Sequence, residues 1–304
     1  MATISNVNGK KITKIKYEGE IFDVGGSDFN PLQYIIDNHK GDKKPSGEEL
    51  FFDYQGSDLT EVIKSCDFSK IISAKKMFYN CMKLISVPYL NTSSCTDMSY
   101  MFASCSSLTT IQQLETSNVT TMERMFYYCS ELPTIPQLDT SKVTNMNYMF
   151  YGCRKLTNVS LTDTSKVTNM SYMFSDCYEL TTIPQLDTRS VTNMGAMFSD
   201  CYKLTTIDIT HMNISSISGS DSFAYNCYSL TKLIIRNMPK IPVISPYSFK
   251  NCYHFTGTTD PTYNPQGLKD GRIYVPDDKV EALKTATNWS VYADIIVPLS
   301  TLVE

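Results

Sequence analysis

The sequence lacks several features that mark common classes of protein. Its 304 residues contain no apolar run near the roughly 20 residues of a membrane-spanning helix, and the amino terminus has no signal-peptide-like segment. The 3 histidines are isolated from one another and from metal-ligand or catalytic-triad patterns. The formal net charge is −4, and no segment has the basic excess that nucleic-acid binding needs. We therefore expect no membrane insertion, no nucleic-acid partner and no enzymatic activity.

Cysteine, in contrast, recurs at a regular interval. Six of the 10 cysteines are separated by steps of 24 residues, and two more follow at steps of 26 and 25: Cys81, Cys105, Cys129, Cys153, Cys177, Cys201, Cys227 and Cys252. Met-Phe precedes each of the first six, and Ser222-Phe223 and Ser248-Phe249 stand before the last two. Leucine follows three residues after the cysteine in seven copies, as at Leu156. A period of about 20 to 29 residues with fixed aliphatic positions is typical of a solenoid.

Each repeat has two halves with different periods. In residues 144–153, apolar side chains at i, i+3, i+4 and i+7 predict a short helix. Residues 181–186 are β-prone, although Pro136 and Pro184 limit the ladder bonds of this half. The sequence thus predicts an α/β repeat solenoid of about eight strand-turn-helix units of 24 to 26 residues. Stacked copies would bury Met, Phe, Cys, Leu and Ile as continuous columns.

The flanking segments divide the chain into three parts. Residues 1–64 are predicted to form a β-rich attachment or capping module, because the alternating pattern in 12–26 indicates a hairpin. Residues 65–255 hold the repeats. Residues 256–304 are predicted to form a carboxy-terminal cap, with a strand in GRIYVP, a helix in DDKVEALKTA and a closing segment that contains Trp289.

The unit in residues 132–153, repeated in 180–201, resembles the repeat of the BspA-like leucine-rich-repeat family. That family occurs in bacterial surface proteins, mycoplasma lipoproteins and gut-phage virion proteins. The resemblance covers roughly residues 66–255. It implies a right-handed leucine-rich-repeat-like stack and a role in adhesion or recognition without enzymatic activity.

These observations favour a non-enzymatic binding protein that needs no cofactor. Because no export signal or anchor is recognisable, we interpret the chain as a phage virion component, a tail or fibre protein that recognises a glycan or protein of the bacterial surface. Residues 1–64 would bind other virion proteins, and a homo-oligomer would gain avidity. The alternatives are a bacterial surface adhesin of the BspA-like type, located extracellularly at the cell surface, and an intracellular protein-interaction scaffold.

Two columns of side chains have a chemical as well as a structural interpretation. The cysteines are predicted to be packed and reduced, because they share a face with Met and Phe and lack the C-x-x-C spacing of zinc sites. Acidic residues at Glu115, Asp139, Asp163 and Asp187 would suit calcium. The favoured interpretation is that they form Asx or ST turns at each corner.

Tyrosine supplies the main candidates for a binding surface, because its rings are amphipathic and lose little rotamer entropy. These candidates are Tyr100, Tyr148, Tyr172, Tyr127, Tyr151, Tyr178 and Tyr202, with Tyr79, Tyr228 and Tyr253 at related positions. The alternative is that they pack laterally between repeats. The predicted strand face adds Gln113, Gln137, Gln185 and Thr182, which would otherwise be an ordinary solvated face.

Overall fold

A computed structural model of the chain describes residues 46–64, 66–183, 185–211, 222–262, 264, 266–267 and 269–303, together with three amino-terminal strands. The strands are β1 (Thr3–Ile4), β2 (Lys14–Tyr17), β3 (Glu20–Asp23), β4 (Ser86–Val87), β5 (Thr110–Ile111), β6 (Thr206–His211), β7 (Lys232–Asn237), β8 (Arg272–Val275) and β9 (Ile296–Pro298). The α-helices are α1 (Thr60–Lys64), α2 (Tyr253–Thr256) and α3 (Val280–Thr285). Short 3-10 helices span Asp277–Lys279, Ser290–Tyr292 and Leu299–Thr301.

The repeats form a β-solenoid of about eight coils, stabilised by hydrogen bonds of two alternating kinds. The Phe102 N–H donates to the Met125 carbonyl of the next coil at 2.9 Å. The Cys105 N–H donates to the Phe102 carbonyl, three residues back in the same coil, at 3.1 Å. The same alternation recurs in the coils that follow. This half of each coil is therefore a series of tight turns, and the backbone N–H groups that do not close a turn donate to the neighbouring coil.

The helix predicted in each repeat is wrong, and the backbone dihedral angles show why. Most coils contain two left-handed residues, such as Tyr100 at φ 60° and Ser104 at φ 63°, and an α-helix contains no such residues. The turns still bring residues three and four apart to the same side of the coil, so the apolar pattern is compatible with an α-helix and with consecutive turns. The residue before each cysteine is the signal that distinguishes turns from a helix. In most copies it is Asn, Asp or Gly, the types that tolerate positive φ.

Phenylalanine forms the central column of the core. The rings of Phe51, Phe78, Phe102, Phe126, Phe150, Phe174 and Phe198 stack in sequence, and all are buried. Neighbouring centroids in the middle of the stack, between Phe126 and Phe150, lie 5.5 Å apart with the ring planes at 4°. This offset-parallel geometry is favourable for aromatic pairs and repeats at the separation of the coils.

The column changes where a repeat lengthens. The Phe198 N–H donates to the Phe223 carbonyl at 2.9 Å, whereas the Phe174 N–H donates to the Met197 carbonyl. Phe223 therefore takes the methionine position of its coil and Ala224 takes the phenylalanine position. The sequence agrees with this placement, since Phe223 stands four residues before Cys227, the offset of methionine in the earlier repeats, rather than three. The contact between the Phe198 and Phe223 rings is correspondingly edge-to-face, at 85°.

The strand half is regular at the two ends of the array. Strand β4 pairs in parallel with β5, and a four-stranded parallel sheet has the order β6-β7-β8-β9. Between them the coils make isolated parallel bridges, such as Leu138 to Leu161. Pro136 has no N–H to donate there, in agreement with the predicted limit on ladder bonds, and Pro184, for which the same was predicted, lies outside the described residues.

Both flanking segments contain elements that the sequence predicts. Strands β2 and β3 pair antiparallel as a hairpin, and β1 pairs with β2. Residues 46–54, which lie within the predicted amino-terminal module, already follow the coil geometry: the Phe51 ring stacks on Phe78 at 5.2 Å. At the other end β8 and α3 match the predicted strand and helix. Trp289 is fully buried against Phe249 and donates its Nε1–H to the Pro242 carbonyl at 2.9 Å.

All ten cysteines are unpaired, as predicted, and nine of them are buried. Each thiol of the main column donates to a backbone carbonyl of the preceding coil, as Cys129 Sγ does to the Phe102 carbonyl at 3.1 Å. Burial raises the pKa of thiols such as Cys129 and Cys177 well above the ordinary value. The column is therefore a set of small, protonated core groups that also satisfy polar backbone.

The acidic column forms corner turns. Oδ1 of Asp139, Asp163 and Asp187 accepts the backbone N–H two residues on, at 3.0, 2.8 and 3.1 Å. The Asx-turn interpretation is thus confirmed for these three residues. The N–H of Glu115 donates to the hydroxyl of Thr92, as the N–H groups of Asp139 and Asp163 donate to Thr116 and Thr140. A buried threonine column, Thr92, Thr116, Thr140, Thr164 and Thr188, completes this corner.

We predict that thiol reagents distinguish the native from the unfolded chain. In denaturant all ten cysteines should react, because none is in a disulfide. In native buffer only Cys66, which is partly exposed, should react within minutes. A count near zero in denaturant would contradict the packed, reduced column.

We also predict that Phe126→Ala destabilises the protein by about 3 to 5 kcal/mol, because it leaves a gap between two stacked rings. Chemical denaturation followed by circular dichroism measures the change. Val243→Ala, at a side chain that is 55% exposed, is the control and should change the free energy of unfolding by less than about 0.5 kcal/mol. Equal effects of the two substitutions would contradict the stacked core.

Candidate functional site

The turn half of the coils presents a group of half-buried tyrosines, here called the first tyrosine cluster. Its members contact one another through their rings: Tyr100, Tyr127, Tyr128, Tyr148, Tyr151 and Tyr172, with Arg124 among them. The rings of Tyr148 and Tyr172 are parallel, with centroids 4.5 Å apart. The rings of Tyr127 and Tyr151 stack at 5.2 Å. Five sequence-predicted candidates thus lie in one contiguous surface.

Backbone geometry places three of these rings in one column. Tyr100, Tyr148 and Tyr172 have φ of 60°, 55° and 56°, in a region that costs a residue with a Cβ roughly 1 to 2 kcal/mol. Arg124 occupies the same column at φ 52°. Its guanidinium carbon lies 5.3 Å from the Tyr100 ring centroid and 4.5 Å from that of Tyr148. The cation–π and ring contacts across coils offset part of the backbone cost.

A second column, the tyrosine ladder, continues along the later coils. It consists of the residues that follow successive cysteines: Tyr178, Tyr202, Tyr228 and Tyr253. Their rings stack face to face with centroid separations of 4.6, 4.8 and 5.1 Å and interplanar angles of 14° or less. Arg154 lies over Tyr178, 5.6 Å from the ring centroid. The candidates Tyr178 and Tyr202 therefore belong to a longer stack.

Carboxylate and amide groups run beside this ladder, in the positions that precede the cysteines. This amide–carboxylate column consists of Asp176, Asp200, Asn226 and Asn251. Asn226 Nδ2 donates to Asp200 Oδ1 at 2.7 Å, and Asn251 Nδ2 donates to Asn226 Oδ1 at 2.7 Å. Since successive coils share these hydrogen bonds, the polar groups are held in fixed positions next to the rings.

Asp176 joins the two tyrosine groups. The Tyr178 hydroxyl donates to Asp176 Oδ1 at 3.2 Å. Burial raises the pKa of Tyr151 strongly, and hydrogen bonds with Asp176 and Tyr128 raise it further. Burial and then Asp176 raise the pKa of Tyr178 as well. The first tyrosine cluster and the tyrosine ladder therefore form one surface, called the tyrosine strip below.

The glutamine candidates lie on the strand half instead. Gln113, Gln137, Thr182 and Gln185 are all exposed. Gln113 Nε2 donates to the Gln137 carbonyl of the next coil at 3.2 Å. No hydrogen bond in the described part of the chain joins these four residues to the tyrosines. The structure thus brings the tyrosines together and leaves the glutamines as a separate face.

Sequence reasoning missed Arg124, Arg154, Tyr128 and the amide–carboxylate column. A periodic signal for all of them was present. Arg124 stands 24 residues from both Tyr100 and Tyr148, and Arg154 stands 24 residues before Tyr178. Comparing every position with its equivalents one period away, rather than tyrosine alone, would have placed these side chains in the strip.

The described ranges contain neither a metal-binding cluster nor a membrane-spanning helix. No group of three or more His, Cys, Asp or Glu side chains that would hold a metal ion occurs in them. No helix among the described residues is long and apolar enough to cross a membrane. A cavity of about 490 Å³ lies between α1 and the β4–β5 pair, lined in part by Ile63, Phe68, Val87 and Tyr89.

Family models match most of this array. Residues 124–256 match the model described as BspA type leucine rich repeat region, in 6 copies. BspA-type leucine-rich repeats are therefore present in this part of the chain. Residues 47–161 also match the family described as Mycoplasma protein of unknown function, DUF285. No curated protein matches this chain.

Three solved structures are similar to this chain at low identity and with low TM-scores. A leucine-rich-repeat protein of Treponema pallidum is 18% identical, with 66% of this chain and 74% of that chain covered and a TM-score of 0.32. A leucine rich cell surface protein of Faecalibacterium prausnitzii is 16% identical, with 94% and 85% covered and a TM-score of 0.34. A leucine-rich-repeat protein of Bacteroides ovatus is 12% identical, with 75% and 87% covered and a TM-score of 0.21.

Raised tyrosine pKa values predict a loss of stability in alkali. Unfolded tyrosine ionises near pH 10, whereas Tyr151 resists ionisation in the folded protein. The contribution of Tyr151 to the free energy of unfolding is therefore complete below about pH 10 and falls above it. Tyr151→Phe should make the fall in unfolding free energy between about pH 10 and 11.5 shallower by up to ~1.4 kcal/mol per pH unit. Denaturant titrations at several pH values measure the slope. Between about pH 7 and 9 the difference between variant and parent should stay constant; identical alkaline slopes would contradict the assignment.

Proposed function

We propose that the protein is a non-enzymatic binding protein of the adhesin type, and that the tyrosine strip is its contact surface. The single observation that carries the proposal is the continuity of the strip, in which ring contacts and Asp176 connect Tyr100 in an early coil to Tyr253 in the last. A binding role agrees with the presence of BspA-type repeats.

The physical properties of the strip support recognition. Packing columns occupy the interior of the coils, so the outer surfaces are what a partner meets. The rings of the strip are half-buried and fixed by their neighbours, so little side-chain entropy is lost when a partner binds. Arg124, Arg154, Asp176 and Asp200 add charged hydrogen-bonding groups at fixed places along the rings.

The partner and the location of the protein are further parts of this proposal. The partner is a glycan or protein of the bacterial surface. The protein acts either at the surface of the cell that makes it or in a phage virion, with residues 1–64 as the attachment segment and a homo-oligomer providing avidity. Mass spectrometry of washed envelopes, purified virions and cytosol from producing cells separates these locations. Recovery from cytosol alone would contradict both surface locations and favour the intracellular scaffold.

Binding itself is tested with a double variant, Tyr148→Asn/Tyr172→Asn. Asparagine removes the rings and tolerates the left-handed backbone of both positions. We expect the parent protein to bind washed bacterial envelopes saturably and the variant to bind at least tenfold more weakly. The matched control is Tyr89→Ala/Tyr247→Ala, which removes two exposed rings (50% and 49%) outside the strip and should leave binding unchanged.

Thermal unfolding verifies that both double variants are folded before binding is compared. Equal binding by the parent and the Tyr148→Asn/Tyr172→Asn protein would contradict the strip as the contact surface. No binding by the parent protein to envelopes from any of a panel of bacteria would contradict the proposed function.

A further inference from the structure

We propose that the tyrosine ladder, with its amide–carboxylate column, binds a neutral linear polysaccharide that lies along the solenoid axis with one sugar unit beside each coil. The proposal rests on the function proposed above and specifies the ligand class of one part of the strip. It concerns four coils, those that contain Tyr178, Tyr202, Tyr228 and Tyr253.

The first argument is the repeat distance. Equivalent groups of the ladder recur every 4.6 to 5.1 Å. Successive units of an extended, equatorially linked polysaccharide advance by a similar distance and alternate in orientation, so one sugar lies beside each coil and every second sugar meets the same set of groups. An extended peptide rises about 3.3 Å per residue and repeats its side-chain direction every second residue. Its groups would therefore lose register with the ladder within a few coils.

The second argument is the chemistry of the exposed groups. Since neighbouring rings stack face to face, the inner rungs Tyr202 and Tyr228 present ring edges and hydroxyls rather than open faces. A phenol hydroxyl both donates and accepts hydrogen bonds, a carboxylate accepts at about four positions, and an amide does both. Sugar hydroxyls, which also donate and accept, are the ligand groups that match this combination at every coil.

Charge indicates that the polysaccharide is neutral. Asp176 and Asp200 lie within the amide–carboxylate column. Of the basic groups on this side, Arg154 lies at the Tyr178 end of the ladder, 5.6 Å from that ring centroid, and Lys203 is paired with Glu179 at 2.5 Å. A phosphate- or carboxylate-bearing polymer along the ladder would face these two aspartates, and like charges at short range repel. Hydroxyl groups incur no such penalty.

The experiment is isothermal titration of the purified full chain with neutral β-1,4-linked oligosaccharides of one to six units, built from glucose, mannose or N-acetylglucosamine. We expect affinity for at least one series to rise with length and to level off at about four units, because the ladder has four rungs. The variant Tyr202→Ala should reduce that affinity at least tenfold, and Asp200→Asn should extend binding to carboxylate-bearing oligosaccharides of the same length. Tyr247→Ala is the matched control.

Two outcomes would overturn the inference: no binding of any series at millimolar concentration, or binding that does not depend on chain length. Parallel envelope assays separate this failure from failure of the proposed function. If binding to envelopes survives periodate oxidation of glycans and is lost after protease treatment, the polysaccharide inference is wrong while the binding function stands. If the parent protein binds no envelope and no oligosaccharide, both are wrong.

Discussion

Every other property of this protein depends on the hydrogen bonding between neighbouring coils. Alternate residues of each turn segment donate to the next coil, and the residues between them close tight turns within their own coil. This arrangement satisfies the backbone without a helix and without a continuous sheet in the middle of the array. It also fixes the distance between coils, and that distance brings identical side chains into stacking contact. The phenylalanine column, the thiol column and the tyrosine strip are three results of one repeated geometry.

Sequence periodicity was enough to predict the solenoid and the composition of its core. The 24-residue spacing of cysteine and the fixed Met-Phe pair identified the buried columns correctly. The secondary structure within each coil was wrong, because a pattern of i, i+3, i+4 and i+7 follows equally from a helix and from consecutive turns. The two left-handed residues of most coils decide between them, and one of those positions holds residue types such as tyrosine, arginine, lysine and alanine, which give no compositional warning. The one-residue shift at Phe223, in contrast, is visible in the sequence, because Phe223 stands four residues before Cys227 where the other phenylalanines stand three before their cysteines.

The binding surface was predictable in part. Tyrosine at recurring offsets identified most of the rings, but the offsets alone gave several separate columns rather than one surface. Asp176 joins these columns, because it contacts Tyr151 of the preceding coil as well as Tyr178 of its own. Such contacts are set by the relative displacement of one coil on the next, and a single sequence contains no measure of that displacement. Glutamines on the strand half had an equally regular spacing, yet they lie apart from the rings.

The placement of Phe223 has a further meaning for how such arrays change over time. The repeat that ends at Cys227 is two residues longer than those before it, yet it keeps its inter-coil hydrogen bonds, with Phe223 in the methionine position and Ala224 in the phenylalanine position. Insertions of this size are therefore absorbed locally instead of disrupting all later coils. Unequal crossing-over between repeats of different length can thus yield foldable proteins, so that coil number, and with it the length of the outer surface, is free to vary while the interior is preserved.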